Sequence, residues 1–451
     1  MTSFAFVRPS LAAIATLALA APSRADTLKV PQQFETIQAA VDAAVAGDIV
    51  SVAKGTYEEN VFVGTAGIAL RGKGAVINGR YFASCVTVTA DDVEVSGFTL
   101  VNGGHVILLG PGDGTPGGGV LYTGTGALLS KLEVLACENF GLSLSGTGTI
   151  DKCTVDGCLG SGIEVDTDDL FGSTVTSITK NTVTRCVRGI DLQDGPFLVE
   201  KNTCEQNLQD GLRLDIPVPF VTGVSQLATS LSKNECRNNG SIGFNLVKGS
   251  GPEMTVDKNV AEDNGLGMDI NGFQVTATGN TIEHNREVGV FLFTTDSTFS
   301  NNKVRGNGLL GVLVLAQLLF ADGGSVNGSN LVQGNTVQDN GGDGIRVQSD
   351  SNTVDDNVIK GNLGDGVQLI GSGVIQNNVT NNVVSGNRHD GIDNSALVTL
   401  ISDNNTKDNG GADLAGVGNG GGNAAKGSEG NTVGDDSGLT SQQELEMETL
   451  E

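Results

Sequence analysis

Tryptophan is absent from the 451 residues, and aromatic side chains make up only 4% of them. A core built around large rings is therefore excluded, and 66 glycines among 38% hydrophobic residues point to many tight turns around a thin aliphatic interior. Cations are also scarce, with 26 Lys and Arg against 52 Asp and Glu for a net charge of -26. Such a chain has no basic face with which to approach phosphate, so nucleic acid is not an expected partner, nor is an anionic membrane surface. Three histidines and four methionines offer few soft metal ligands, and no CxxC pair is present among seven cysteines, which argues against a zinc site. After the first 25 residues no stretch approaches the ~18 continuous apolar residues of a membrane span, so the chain is not expected to cross one.

The N-terminus reads as an export signal. Arg8 precedes an apolar run from Leu11 to Ala21, and Ser23-Arg24-Ala25 places small residues at -3 and -1 of a cut before Asp26. Residues 1–25 are the expected signal peptide, and the mature product is expected in the periplasm or the medium.

Self-comparison reveals a unit of the form N-x-[VI]-x-x-N-x-x-x-G-[IV]-x-[VL]. It recurs at Asn202, Asn234, Asn280, Asn302, Asn335, Asn357 and Asn382, with a version one residue shorter at Asn181 and Asn259 and a variant first residue at Leu132 and Cys153. Spacings cluster near 22 residues, the length of a solenoid coil, with insertions stretching some to 33. Each half of the unit alternates apolar and polar, which predicts short strands separated by Gly and Asn turns. No unit holds a 3.6-residue apolar period, leucine-rich repeats place their Asn differently, and a GGxGxD calcium motif never occurs in tandem. The expected fold is all-β, a single-stranded right-handed parallel β-helix. Equivalent residues of neighbouring coils then stack about 4.8 Å apart, and the two Asn columns are expected to form amide ladders along the edge of the core.

The same register aligns Cys137, Cys158 and Cys186 at the second-Asn position of three successive coils, and Cys204 and Cys236 at an inward apolar position. Stacked cysteines lie within reach of one or two disulfides. The other reading is a column of buried thiols acting as small hydrophobes.

With this unit and the stretch FETIQAAVDAAVAGDIVSVAKGTYEENV in hand, the chain resembles the right-handed parallel β-helix, pectin-lyase-like superfamily. The resemblance covers about residues 28–410 and extends to the repeat-rich proteins related to periplasmic copper-enzyme maturation and to alginate epimerase modules. It implies an N-terminal cap over 26–60, in which Thr36 caps a helix, Ile37, Ala40, Val41, Ala44 and Val45 form its apolar face and Gly47 ends it. The β-helix then runs over 61–410, followed by a flexible Gly/Asn-rich acidic tail over 411–451. The superfamily's catalytic signatures are missing: there is no Asp-Pro-His of the epimerases and no polygalacturonase set. Lyases of the superfamily commonly use Ca2+ to bind uronates and an Arg or Lys as base, which on this sequence would make Arg213 the candidate.

In the strand G-[IV]-x-[VL] the x position points outward. One outward column reads Ser143, Glu164, Asp191, Arg213, Asn245, Asp269, Phe291, Leu313, and a second, two residues on, reads Asp166, Gln193, Asp215, Val247, Asn271, Phe293, Leu315. Glu164, Asp191, Asp215 and Asp269, with Asp166, thus gather around the cation Arg213. Stacked carboxylates raise one another's pKa, a recurring feature of acid/base sites. Adjacent rungs such as Glu164 and Asp191 suit the roughly 5–5.5 Å of a retaining glycosidase, while Glu164 and Asp215 suit the roughly 6.5–9.5 Å of an inverting one. The same oxygens are also suited to a hard cation such as Ca2+, and a solvated face of an acidic chain carries mixed polar residues without any site. Beyond them lies an apolar block, Phe291, Phe293, Leu313 and Leu315, which the insertion 316–330 either covers or leaves as a platform for sugars or a partner. Insertions 166–177 and 215–230 leave the same strand, so a walled groove is expected. Its negative charge favours a neutral polysaccharide, or an acidic one bridged by Ca2+. The expected function is an exported protein that acts on or binds polysaccharide, as a hydrolase, lyase or epimerase. The alternative is a non-catalytic extracellular structural or binding module.

Overall fold

The structure, a computed structural model, describes residues 25–104, 117–167, 174–216, 227–249, 251–315, 328–371, 374–396, 399–416 and 424–426. The chain winds into a parallel β-solenoid of about 16 coils with ~22 residues per turn. One coil shows how the unit folds. Thr176–Thr179, Thr182–Thr184 and Arg188–Gln193 form three short strands. Each pairs in parallel with its counterpart one coil later, in Phe197–Glu200, Thr203–Glu205 and Leu212–Ile216. Three sheets therefore run the length of the molecule, and inward residues such as Ile178, Val183, Ile190 and Leu192 are fully buried between them.

The two Asn of the unit mark the corners. At the first, the residue before each Asn is left-handed (Lys180, Lys201, Lys233 and Lys258, φ 54 to 58°), and at the second the same holds for Arg185, Gln206, Asn238 and Asp263. That conformation costs about 1–2 kcal/mol per non-glycine residue, and the ladders offset it. Asn181, Asn202, Asn234, Asn259 and Asn280 each send backbone N–H and Nδ2 to the Oδ1 of the next Asn at 2.8–3.1 Å. Asn207, Asn239 and Asn264 do the same at the second corner. Cysteines close both ladders: Cys153 N–H donates to Asn181 Oδ1 and Cys186 N–H to Asn207 Oδ1.

Glycine opens the third strand because two coils nearly touch there. A Cβ on Gly189 would lie 2.2 Å from Gly211 O and 3.0 Å from Asn207 Nδ2. All seven cysteines are buried and unbridged, so the buried-thiol reading describes this structure. Cys204 and Cys236 are register partners on adjacent strands.

The N-terminal helix spans Ile37–Ala43, with Thr36 Oγ1 accepting from Ala39 N–H. Glu59 adds a second cap, accepting from the N–H groups of Ile37 and Gln38, both at 2.9 Å. Ile37, Ala40, Val41 and Ala44 are buried as expected, but Val45 is 56% exposed and the helix ends at Ala44 rather than Gly47. The reason is Asp48, whose carboxylate accepts from Val45 N–H at 3.0 Å and draws the chain out of its helical path. No described helix is long and apolar enough to cross a membrane.

Candidate functional site

The third sheet carries the candidate site. Pairing joins Ser143, Glu164, Asp191, Arg213, Asn245, Asp269, Phe291 and Leu313 into one column, rung by rung. The same pairings align Asp166, Gln193, Asp215, Val247, Asn271, Phe293 and Leu315 beside it. Because a strand alternates its faces, Ile163, Val165, Ile190 and Leu192 anchor the core while Glu164, Asp166, Asp191 and Gln193 face the other way.

Glu164 and Asp191 therefore occupy adjacent rungs, about 4.8 Å apart, in unlike surroundings. Burial pushes the Glu164 carboxyl above its usual range and the negative charges of Asp191 and Asp166 push it further, against the smaller opposing pull of Arg188 and Ser143. Burial also raises Asp191, but the guanidiniums of Arg213 and Arg188 oppose it. Arg188 Nη1 donates to Asp191 Oδ2 at 3.2 Å, and Arg213 Nη1 stands 4.0 Å from the same oxygen. The second Asp191 oxygen, Oδ1, is buried and has no hydrogen-bond partner among the described residues. Arg213 turns its Nη2 to Asp215 Oδ2 at 3.3 Å.

Asp269 stands apart. Asn245 separates its coil from that of Arg213, so on register alone it lies three rungs, roughly 14 Å, from Asp191. Its carboxyl is pushed up to about 6, first by burial and then by Asp210. The site thus divides into a Glu164/Asp166/Asp191 group clamped by Arg188, Arg213 and Asp215, and a second group of Asp210, Asn245 and Asp269.

Two participants escaped the reading of the unit. Arg188 and Asp210 precede Gly189 and Gly211, the glycines of the repeat unit, and form a third outward column, in which Ser161 pairs with Arg188. Asp210 Oδ1 accepts from Ile242 N–H at 3.2 Å and Oδ2 from Asn245 Nδ2 at 3.0 Å. The signal was present as the repeated Asp-Gly of Asp210-Gly211, Asp343-Gly344, Asp365-Gly366 and Asp390-Gly391. Arg213 is accordingly not the cluster's one cation.

The apolar block follows directly. Leu313 is 9% exposed and packs with Leu266, Val288 and Leu310 of the third column, with Phe291 and Leu315 against them. Leu318, Leu319 and Phe320, and most of the insertions expected to wall the groove, lie outside the described residues.

The family model "Right handed beta helix region" matches residues 118–276, 169–318 and 270–409, well over half the chain, and the protein belongs to that family. No curated protein sequence matches it. Among solved structures, the A-module of the mannuronan C-5 epimerase AlgE4 of Azotobacter vinelandii is similar at 19% identity and a TM-score of 0.50, over 74% of this chain and 93% of that one. A mannuronic acid specific polysaccharide family 6 lyase from human gut microbiota aligns at 13% identity and a TM-score of 0.39, over 94% of each chain. The receptor-binding tailspike of bacteriophage Det7 aligns at 13% identity and a TM-score of 0.45, over 76% of this chain and 73% of that one. These likenesses are likenesses of fold.

Proposed function

We propose that this is an exported polysaccharide-active protein that cleaves a glycan across the third sheet, with Glu164 as general acid and Asp191 as its carboxylate partner. The observation that carries this reading is the unequal environment of two carboxyls on adjacent rungs. Burial raises both, but neighbouring carboxylates add to the rise of Glu164 while two guanidiniums oppose that of Asp191, and environments that push two carboxyls apart are how an acid and a nucleophile are told apart. Their spacing fits a retaining displacement better than an inverting one. Glu164 would protonate the departing glycosidic oxygen, and the Asp191 carboxylate would attack the anomeric carbon. Water then releases the sugar as Glu164 takes back the proton. A guanidinium does not give up its proton in proteins, so Arg213 acts here by orienting Asp191 rather than as a base. Asp215 holds Arg213, and Asp269 serves the more distant part of the face.

The acidic surroundings favour a neutral polysaccharide, or an acidic one bridged by Ca2+. Polysaccharide is also the substrate class named for the epimerase module of similar fold. Export rests on the N-terminal segment read from the sequence, which lies outside the described residues apart from Ala25. The test is to incubate the mature chain with neutral and acidic polysaccharides, with and without Ca2+, and to follow reducing ends and unsaturated products. Reducing ends that disappear in Glu164→Gln and Asp191→Asn support the assignment. Unsaturated products would replace hydrolysis by elimination, and binding without turnover would leave a non-catalytic glycan-binding face.

A further inference from the structure

On the second sheet, away from the acidic columns of the third, pairing stacks Arg237, Glu262, Glu283 and Arg305 on four successive rungs. Two carboxylates on adjacent strands repel unless something lies between or beside them. Cations flank the pair from both ends. Arg237 Nη1 contacts Glu262 Oε2. Arg305 Nε donates to Glu283 Oε2 at 2.5 Å, and Lys303 Nζ stands 3.7 Å from that oxygen. A third group, His284, brings its Nδ1 to 4.0 Å from Glu262 Oε1. One ligand atom from each of Glu262, Glu283 and His284 falls within 4.8 Å of the other two.

The imidazole is placed by the corner geometry. His284 occupies a left-handed position (φ 57°), and the equivalent residue of the next coil is Gly306. A Cβ at Gly306 would lie 2.8 Å from His284 Cδ2, so glycine leaves the ring room to lie over the next corner. The side chains of Glu262 and Glu283 are 24% and 13% exposed and that of His284 50%, which keeps the group open to solvent.

We propose that Glu262, Glu283 and His284 form a binding site for a divalent transition-metal cation, with Zn2+ the best fit. Two carboxylate oxygens and an imidazole nitrogen suit Zn2+, which binds N and O donors at about 2.0–2.2 Å and accepts three protein ligands with water in the fourth place. Ca2+ wants six to eight oxygens, which this group does not supply. Arg237 and Arg305 are the outer partners that hold the two carboxylates in place, as the partners of metal ligands commonly do. The bound ion would turn a repulsive pair of rungs into a bridged one.

Zn2+ is titrated calorimetrically into the full mature chain without a histidine tag, and into His284→Ala and Glu283→Gln. The expected result is one Zn2+ per wild-type chain, undisturbed by excess Ca2+, and affinity lowered by more than about tenfold in each variant, the loss that even an outer partner of a ligand causes. Thermal unfolding without metal confirms that both variants are folded. Failure of the wild type to bind one Zn2+, or binding that neither substitution weakens, overturns the site.

Discussion

Asn234 donates both its backbone N–H and its Nδ2 to Asn259 Oδ1, at 2.9 and 3.0 Å, one coil further along the helix. A single oxygen thus satisfies two buried donors, and Asn259 repeats the arrangement toward Asn280. Asn259→Ala strands the two donors of Asn234. Each buried group left without a partner costs about 1–3 kcal/mol. We expect Asn259→Ala to lower stability by at least about 2 kcal/mol in urea denaturation, far more than alanine on the solvent side of the same strand.

A second prediction concerns pH. Asp343, Asp365 and Asp390 precede glycines on successive coils, and the first two accept the N–H of the Asp that follows, both at 2.8 Å. Burial, then Asp343, pushes the Asp365 carboxyl up to about 8, and burial, then Asp210, brings Asp269 to about 6. Both folded values lie above the unfolded one, so the folded chain holds the protons more tightly. The stability they contribute is full below about pH 4 and is lost as pH rises through about 6 for Asp269 and about 8 for Asp365. For Asp269 the change is about 3 kcal/mol. Asp365→Asn keeps an acceptor for the N–H of Asp390 while removing the charge. It should raise the urea midpoint at pH 8 and flatten its decline between about pH 4 and 8.

The cysteines give a third. Burial pushes the Cys85 thiol up to about 11 and that of Cys153 to about 12. The neighbouring Cys137 is the leading cause of the rise of Cys158 to about 12, and Cys158 leads that of Cys186. Thiols held protonated and away from solvent are poor nucleophiles. Native protein should resist iodoacetamide at pH 8, and all seven cysteines should be labelled after unfolding without reductant. A count of five would place a bridge where the structure has none, and Cys204 and Cys236 are the first pair to examine.

What was legible in the sequence follows from how each feature is encoded. The rungs from Ser143 to Leu315 were legible because a period of two, anchored on a repeated Asn and Gly, assigns every residue a face and a coil. The Asn ladders and the cysteine columns came from the same register. Arg188 and Asp210 were missed because the unit treats the position before its glycine as unconstrained, although that side chain leans over the strand that follows. The separation of Asp269 from Glu164 and Asp191 was legible in the column itself, where Arg213 and Asn245 stand between them, but grouping residues by charge alone passes over it. The end of the helix at Ala44 depended on Asp48, a side-chain acceptor that an apolar pattern does not register.

The last prediction tests the division of labour between Glu164 and Asp191. With both carboxyls raised by burial, the activity profile of a polysaccharide hydrolase working through this pair should be a bell displaced upward from the usual carboxylate range. The acid limb belongs to Asp191, which must be ionised to attack, and the alkaline limb to Glu164, which must keep its proton. Glu164→Gln should lower kcat by about 10²–10⁴-fold and remove the alkaline limb on substrates whose leaving group needs a proton, while a leaving group that departs without one should restore much of the rate. Asp191→Asn should abolish turnover on both kinds of substrate. Arg188→Gln leaves Arg213 in place and removes a positive charge that lowers both carboxyls, so its effect should be a shift of both limbs to higher pH rather than loss of the maximum. If Arg188→Gln instead lowers the maximum without moving the limbs, the arginines position substrate, and the charge of Asp191 is set by something other than its two guanidiniums.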